Sequence, residues 1–232
     1  MAPGVAGSEG VVFQPVRALA EGVRTRRLSP VILAETFLDR LERLGPRYNA
    51  VVTVTRDRAL AQARRAEAEI AAGRYRGPLH GIPYGAKDLL ATSGGIPTTW
   101  GAAPFKDRVF DFDATAIVRL EAAGAVLCAK LAMVELAGGM GYRQPNASFT
   151  GPGVTPWSRD AWSGGSSSGS GSAVSAGLVP FAIGSETWGS ILSPAGNCGV
   201  TGLRPTYGRV SRHGAMALCW TLDKLGPLAL TA

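Results

Sequence analysis

The sequence predicts an α/β fold, and three observations carry that prediction. Apolar residues recur at helical spacing between residues 14 and 75. Beyond Gly77 the pattern changes to short apolar runs that alternate with glycine-rich turns and further helices. The 232 residues are 46% hydrophobic and only 18% charged, which is a core-forming composition and not that of a disordered chain.

The elements follow in order. Ser29 is an N-cap candidate with Pro30 at the first helical position. Val31, Leu33, Ala34, Phe37, Leu38, Leu41 and Leu44 then line one helical face, and Gly45-Pro46 ends the run. A second helix is expected from about Thr55 to Ala72, with an apolar stripe of Ala59, Ala63, Ala66 and Ile70 and with Gly73 closing it. Strands are expected at 82–86, 125–129, 179–183 and 199–203, and helices at 114–123 and 170–177. No internal repeat is seen. Residues 1–76 thus read as a helical part and 77–232 as a Gly/Ser-rich part of one domain; 24 of the 31 glycines fall from residue 81 onward.

Composition excludes several function classes. The formal charge of +7 is spread, with +5 in residues 1–80 and +2 in the remainder, and basic side chains alternate with acids as on a solvated face. No nucleic-acid partner is expected. No run approaches the ~20 apolar residues of a membrane span, and Met1 to Val12 lacks a secretory pattern. Three scattered cysteines, Cys128, Cys198 and Cys219, suit a reducing, cytoplasmic setting better than a disulfide framework or zinc site. Cys198 reads as a small buried residue. The two histidines, His80 and His213, have no acidic cluster beside them and read as turn or surface residues. Only four basic residues are lysines (Lys87, Lys106, Lys130, Lys224), and lysine, unlike arginine, can work as a base.

The segment Ser163-Gly-Gly-Ser-Ser-Ser-Gly-Ser-Gly-Ser172 has linker composition, yet it runs directly into an apolar helix and strand. That continuity favours a structured loop. Within it Gly165–Gly169 fits the five-residue nucleophile-elbow pattern, but no strand precedes it, and Glu186 is the only acid before the single downstream histidine. Phosphate-loop and dinucleotide fingerprints also fail. Three features remain: Lys87 in Gly81-Ile-Pro-Tyr-Gly-Ala-Lys-Asp88 at a strand end, the Ser/Gly loop, and a turn Gly184-Ser-Glu-Thr-Trp-Gly-Ser190-Ile after the strand at 179–183.

Gly-Ile-Pro-x-x-x-Lys-Asp, Gly-Gly-Ser-Ser, Gly-x-x-x-x-Gly-Ser-Ile and the block Cys198-Gly-Val-Thr-Gly-Leu-Arg-Pro-Thr-Tyr-Gly-Arg-Val-Ser211 resemble, in this order, the amidase signature family. The resemblance covers about residues 77–228. It implies a mixed sheet covered by helices on both faces and a Ser–Ser–Lys triad that cleaves carboxylic amides through an acyl-enzyme. Ser190 would be the nucleophile, Ser166 the bridging serine held by a cis peptide bond, and Lys87 the base. Backbone N–H groups of Thr187, Trp188, Gly189 and Ser190 would form the oxyanion hole. Such chemistry suits these residue types, because a serine hydroxyl needs a base, and burial makes lysine one. The resemblance implies a small-molecule amide substrate and neither cofactor nor metal, and it leaves a homodimer open. Ser167, Ser168, Ser170 and Ser172 are read as loop and cap hydrogen-bonding residues.

The sequence departs from the family pattern at Trp188, which replaces a common glycine and would narrow or reshape the acyl pocket. It departs again at Leu192, where arginine is frequent, and at Ser168, where glycine is more usual. These differences point to a divergent subgroup and away from the tRNA-dependent amidotransferase subunit. Family members are also roughly twice as long. The expectation is therefore an amidase domain without its C-terminal half. An amidotransferase-subunit-like protein and an inactive fragment are the alternatives.

Overall fold

The computed structural model describes residues 8–138 and 148–232; the first seven residues of the N-terminal stretch read for a leader lie outside them. One six-stranded sheet is built from Val51–Val54 (β1), Pro83–Lys87 (β2), Val126–Leu131 (β3), Phe181–Glu186 (β4), Thr201–Gly202 (β5) and Lys224–Ala229 (β6). The strand order is β1-β3-β2-β4-β6-β5. The three central strands β3, β2 and β4 are parallel, β1 and β6 flank them antiparallel, and β5 pairs antiparallel with β6, so the sheet is mixed as expected.

Helices feed side chains to two cores. Val16–Arg24 (α1), Pro30–Leu44 (α2) and Thr115–Ala122 (α4) contribute Leu19, Val23, Phe37 and Ile117 to a cluster with Tyr84, Ala86, Leu127 and Phe181. The second cluster joins Leu38 and Leu41 of α2, Ala59 and Ala63 of Arg56–Ala71 (α3), and Ala173 and Val174 of Ser168–Ser175 (α5) to Val126, Cys128 and Ala182. Leu127 faces the first core while Val126 and Cys128 face the second, the period-two alternation of a strand buried on both sides. The register shifts between Tyr84 and Gly85, where β3 advances from Leu127 to Ala129.

Local signals explain most boundaries. Ser29 caps α2 by accepting from Ile32 N at 3.2 Å. Thr55 precedes α3 but spends its hydroxyl on Leu127 O (2.7 Å), which ties the helix start to β3. Gly73, one residue past the α3 cap, takes the left-handed φ of +80° that ends such a helix.

Four features differ from expectation. β1 lies inside the stretch read as wholly helical. β6 is unexpected, because Gly226-Pro227 interrupts its sequence pattern. The helix Leu192–Cys198 (α6) contains Pro194, tolerated in a first turn where backbone N–H groups lack intrahelical partners. His80 sits in a turn but is fully buried, with Nδ1 accepting from Arg76 N (3.1 Å) and Nε2 3.1 Å from Glu69 Oε2. His213 is exposed as expected. Among the described residues no helix is long and apolar enough to cross a membrane.

Candidate active site

The parallel strands β2 and β4 end side by side, and the chemistry-bearing residues collect there. Lys87 closes β2 and has no exposed surface. Its Nζ donates to Ser166 Oγ at 2.7 Å, to Ser185 Oγ at 2.9 Å and to Ser185 O at 3.5 Å. Burial pushes the Lys87 amine well below its ordinary value of 10.5, while the carboxylates of Asp223 and Glu186 pull it weakly back up. Burial thus favours the uncharged form of an amine that lies beside a hydroxyl.

The Ser/Gly segment is not a spacer. Ser163, Ser166, Ser167, Ser168, Ser170 and Ser172 are all buried, and α5 begins within the segment. The peptide bond Gly165–Ser166 is cis. Ser167 Oγ donates to Ser185 O (3.1 Å) and accepts from Ser185 N (3.2 Å), binding the loop to β4. Ser170 and Ser172 donate to Ile183 O (3.3 Å) and Val154 O (2.6 Å), the supporting hydrogen bonds expected of them. A methyl on Gly169 would meet Ala50 O at 2.4 Å and Ala132 N at 2.5 Å, so α5 enters the core with its backbone against the ends of β1 and β3.

The turn after β4 brings Ser190 to this loop: Ser167 N donates to Ser190 O at 3.2 Å, and Ser190 is 7% exposed. The turn is held at both ends. Glu186 Oε2 accepts from Ile191 N (2.8 Å) and Leu192 N (2.9 Å). Against the burial that raises it, these amides and the Gly189 N–H keep the Glu186 carboxyl below the usual range. At the other end Thr187 Oγ1 donates to Asp223, and Lys224 Nζ donates to Thr187 O at 3.0 Å. Gly189 adopts a φ of +104°, so the turn needs glycine there. Ser185, Thr187, Leu89, Met216, Leu218 and Trp220, together with the charged Arg212 and Asp223, line a narrow groove beside it.

Sequence reasoning names Lys87, Ser166, Ser190 and the turn Thr187–Ser190; the fold joins Lys87 to Ser166 side chain to side chain and brings Ser190 to the same loop through its backbone carbonyl at Ser167. Trp188 does not narrow a pocket in this arrangement, because its side chain is 90% exposed; Leu192 is 45% exposed. Lys87 is not the one buried lysine. Lys130 is equally buried and forms an ion pair of 3.0 Å with Asp88. Ser185, Asp223 and Lys224 are neighbours of the site that sequence reasoning does not single out. The available signals are adjacency, since Ser185 precedes Glu186 in the turn block and Asp223-Lys224 sits just before Gly226-Pro227. Among the described residues no cluster of three His, Cys, Asp or Glu side chains is arranged to hold a metal.

Comparison with known proteins gives a consistent answer. The family model Amidase matches residues 33–232. "Putative amidase AmiD" of Mycobacterium tuberculosis (strain ATCC 25618 / H37Rv) is 47% identical over 214 residues, covering 92% of this chain and 44% of that protein. A glutamyl-tRNA(Gln) amidotransferase subunit of Methylococcus capsulatus (strain ATCC 33009 / NCIMB 11132 / Bath) is 46% identical over the same length, covering 92% and 43%. The solved peptide amidase of Stenotrophomonas maltophilia superposes with a TM-score of 0.86 at 36% identity, covering 95% of this chain and 46% of that one. The chain therefore spans less than half the length of the relatives it matches. By the extent of the family match and the agreement of its fold with solved members, this chain belongs to the amidase family.

Proposed function

We propose that the chain forms one unit, mainly helical over residues 8–76 apart from β1 and catalytic over 77–232, that hydrolyses a carboxylic amide C–N bond with Ser190 as nucleophile, Ser166 as proton bridge and Lys87 as base. The observation that carries this reading is the buried Lys87, its charged form disfavoured by burial, 2.7 Å from Ser166 Oγ. Neutral Lys87 draws a proton from Ser166 as Ser166 takes one from Ser190, and Ser190 Oγ attacks the carbonyl carbon. Backbone N–H groups of Thr187, Trp188 and Ser190 receive the developing oxyanion, the Gly189 N–H being already committed to the Glu186 carboxylate; pre-aimed donors of this kind are worth about 3 kcal/mol each. The proton returns through Ser166 to the departing amine, leaving an acyl-Ser190 ester. Water attacks that ester by the same relay in reverse and releases the acid. The substrate on this reading is a small-molecule amide. Two buried free cysteines, Cys128 and Cys198, with thiols pushed up by burial to about 12 and about 11, fit a reducing, cytoplasmic location.

The test is labelling with a serine-directed fluorophosphonate followed by peptide mapping. Ser190 is expected to carry the label, and Lys87→Ala and Ser166→Ala to abolish it. Absence of label from folded protein would refute the reading. One other reading has an observation behind it. Near-equal identity to an amidotransferase subunit favours glutamine as amide donor, against which stands Leu192 where arginine is frequent; glutaminase activity with a partner protein would support it.

A further inference from the structure

We propose that Asp223 is a positioning residue that locks one wall of the groove, at Leu218–Cys219, to the turn carrying Ser190, so that substrate contact and oxyanion donors share one rigid frame. The proposal rests on the functional reading above for its catalytic consequence. Its mechanical part stands on geometry alone.

Asp223 is 8% exposed, and its carboxylate reaches two segments of chain. On one side it accepts from Leu218 N at 2.9 Å and from Cys219 N at 3.0 and 3.1 Å. On the other it accepts from Thr187 Oγ1. Its own N–H donates to Cys219 O at 3.0 Å, which closes the groove wall into a tight loop around the carboxylate. Leu218 and Trp220 of that loop, together with Ser185 and Thr187, line the groove. Asp223 thus joins the groove wall directly to Thr187. Lys224 grips only the Thr187 carbonyl, and Glu186 holds the far end of the turn. A carboxylate can accept four hydrogen bonds without donating, which lets it organise two segments of backbone at once.

Hydrogen exchange of the segments 185–192 and 215–222 tests the link, with Asp223→Asn, Thr187→Val and Thr187→Ser compared with the parent chain. Thr187→Val cuts the link from the turn side alone. It should speed exchange about tenfold in both segments, the scale of one lost hydrogen bond to a charged group. Thr187→Ser, which keeps the hydroxyl, should restore the parent rates. Fluorophosphonate labelling of Ser190 should slow about tenfold in Thr187→Val and in Asp223→Asn, and the double variant should be no slower than Asp223→Asn, because both changes break one connection. Faster exchange confined to 185–192 in Thr187→Val, or labelling losses that multiply in the double variant, would overturn the proposal. A parent chain that takes no label at all removes the catalytic reading, while exchange still decides the coupling.

Discussion

Replacing Lys130 with methionine is the sharpest test of how this core tolerates charge. Lys130 sits in β3, inside the sheet, with no exposed surface. Its Nζ is 3.0 Å from Asp88 Oδ1 and donates to Thr98 Oγ1 (2.7 Å) and Pro97 O (3.3 Å). Methionine has similar length and no charge, so packing is nearly conserved while Asp88 loses its counter-ion. Removing one partner of a buried pair costs about 3–5 kcal/mol. Asp88 Oδ2 keeps the Thr99 N–H (3.0 Å) and the Thr99 hydroxyl, so the lower end, about 3 kcal/mol, is expected. Domain stabilities run to about 5–15 kcal/mol, so a loss of this size is readily visible. Urea unfolding followed by tryptophan fluorescence should show a midpoint lower by roughly 1–2 M. Adding Asp88→Asn should recover part of the loss, since no unpaired charge then remains. A loss below about 1 kcal/mol, or a double variant less stable than Lys130→Met by a further full increment, would refute the reasoning.

Three further outcomes follow from the same structure. Lys87 is depressed below 10.5 in the folded chain, so the unfolded chain binds more protons between the two values; parent stability should rise with pH through that window, and Lys87→Met should flatten the rise in urea unfolding at several pH values. Gly169→Ala should destabilise the fold by about 2 kcal/mol or more despite alanine's higher helix propensity, because the new methyl meets backbone on two sides; a thermal midpoint equal to or above the parent's would contradict this. Trp188→Ala, at a side chain 90% exposed, should leave stability within about 0.5 kcal/mol in the same urea assay.

The site is largely legible in the sequence because its parts sit in short, locally determined blocks. A strand end carries Lys87, a glycine-rich turn carries Ser190, and the loop between them carries Ser166; each block fixes its own backbone. The fold's edges are less legible. β6 depends on pairing with β4 across the register Ile183 to Pro227, a long-range match that its own Gly-Pro sequence argues against. β1 is four half-buried residues whose apolar pattern suits a strand or a helix start equally. Asp223 and Lys130 escape a sequence reading for a related reason. An acid or a lysine looks the same in sequence whether solvated or buried, and only the partners brought from 32 to 42 positions away distinguish them.

The segment from Ser163 to Ser172 has one more consequence. By composition it is the stretch a protein engineer would lengthen, tag or discard first. Its backbone is instead wedged between the ends of β1 and β3 on one side and Pro194 of α6 on the other, with no room for even a methyl at Gly169 or Gly171. A saturation mutational scan of this chain should therefore record its deepest intolerance where the sequence looks simplest. Low complexity here marks the place where side chains have been stripped away so that main chains can touch.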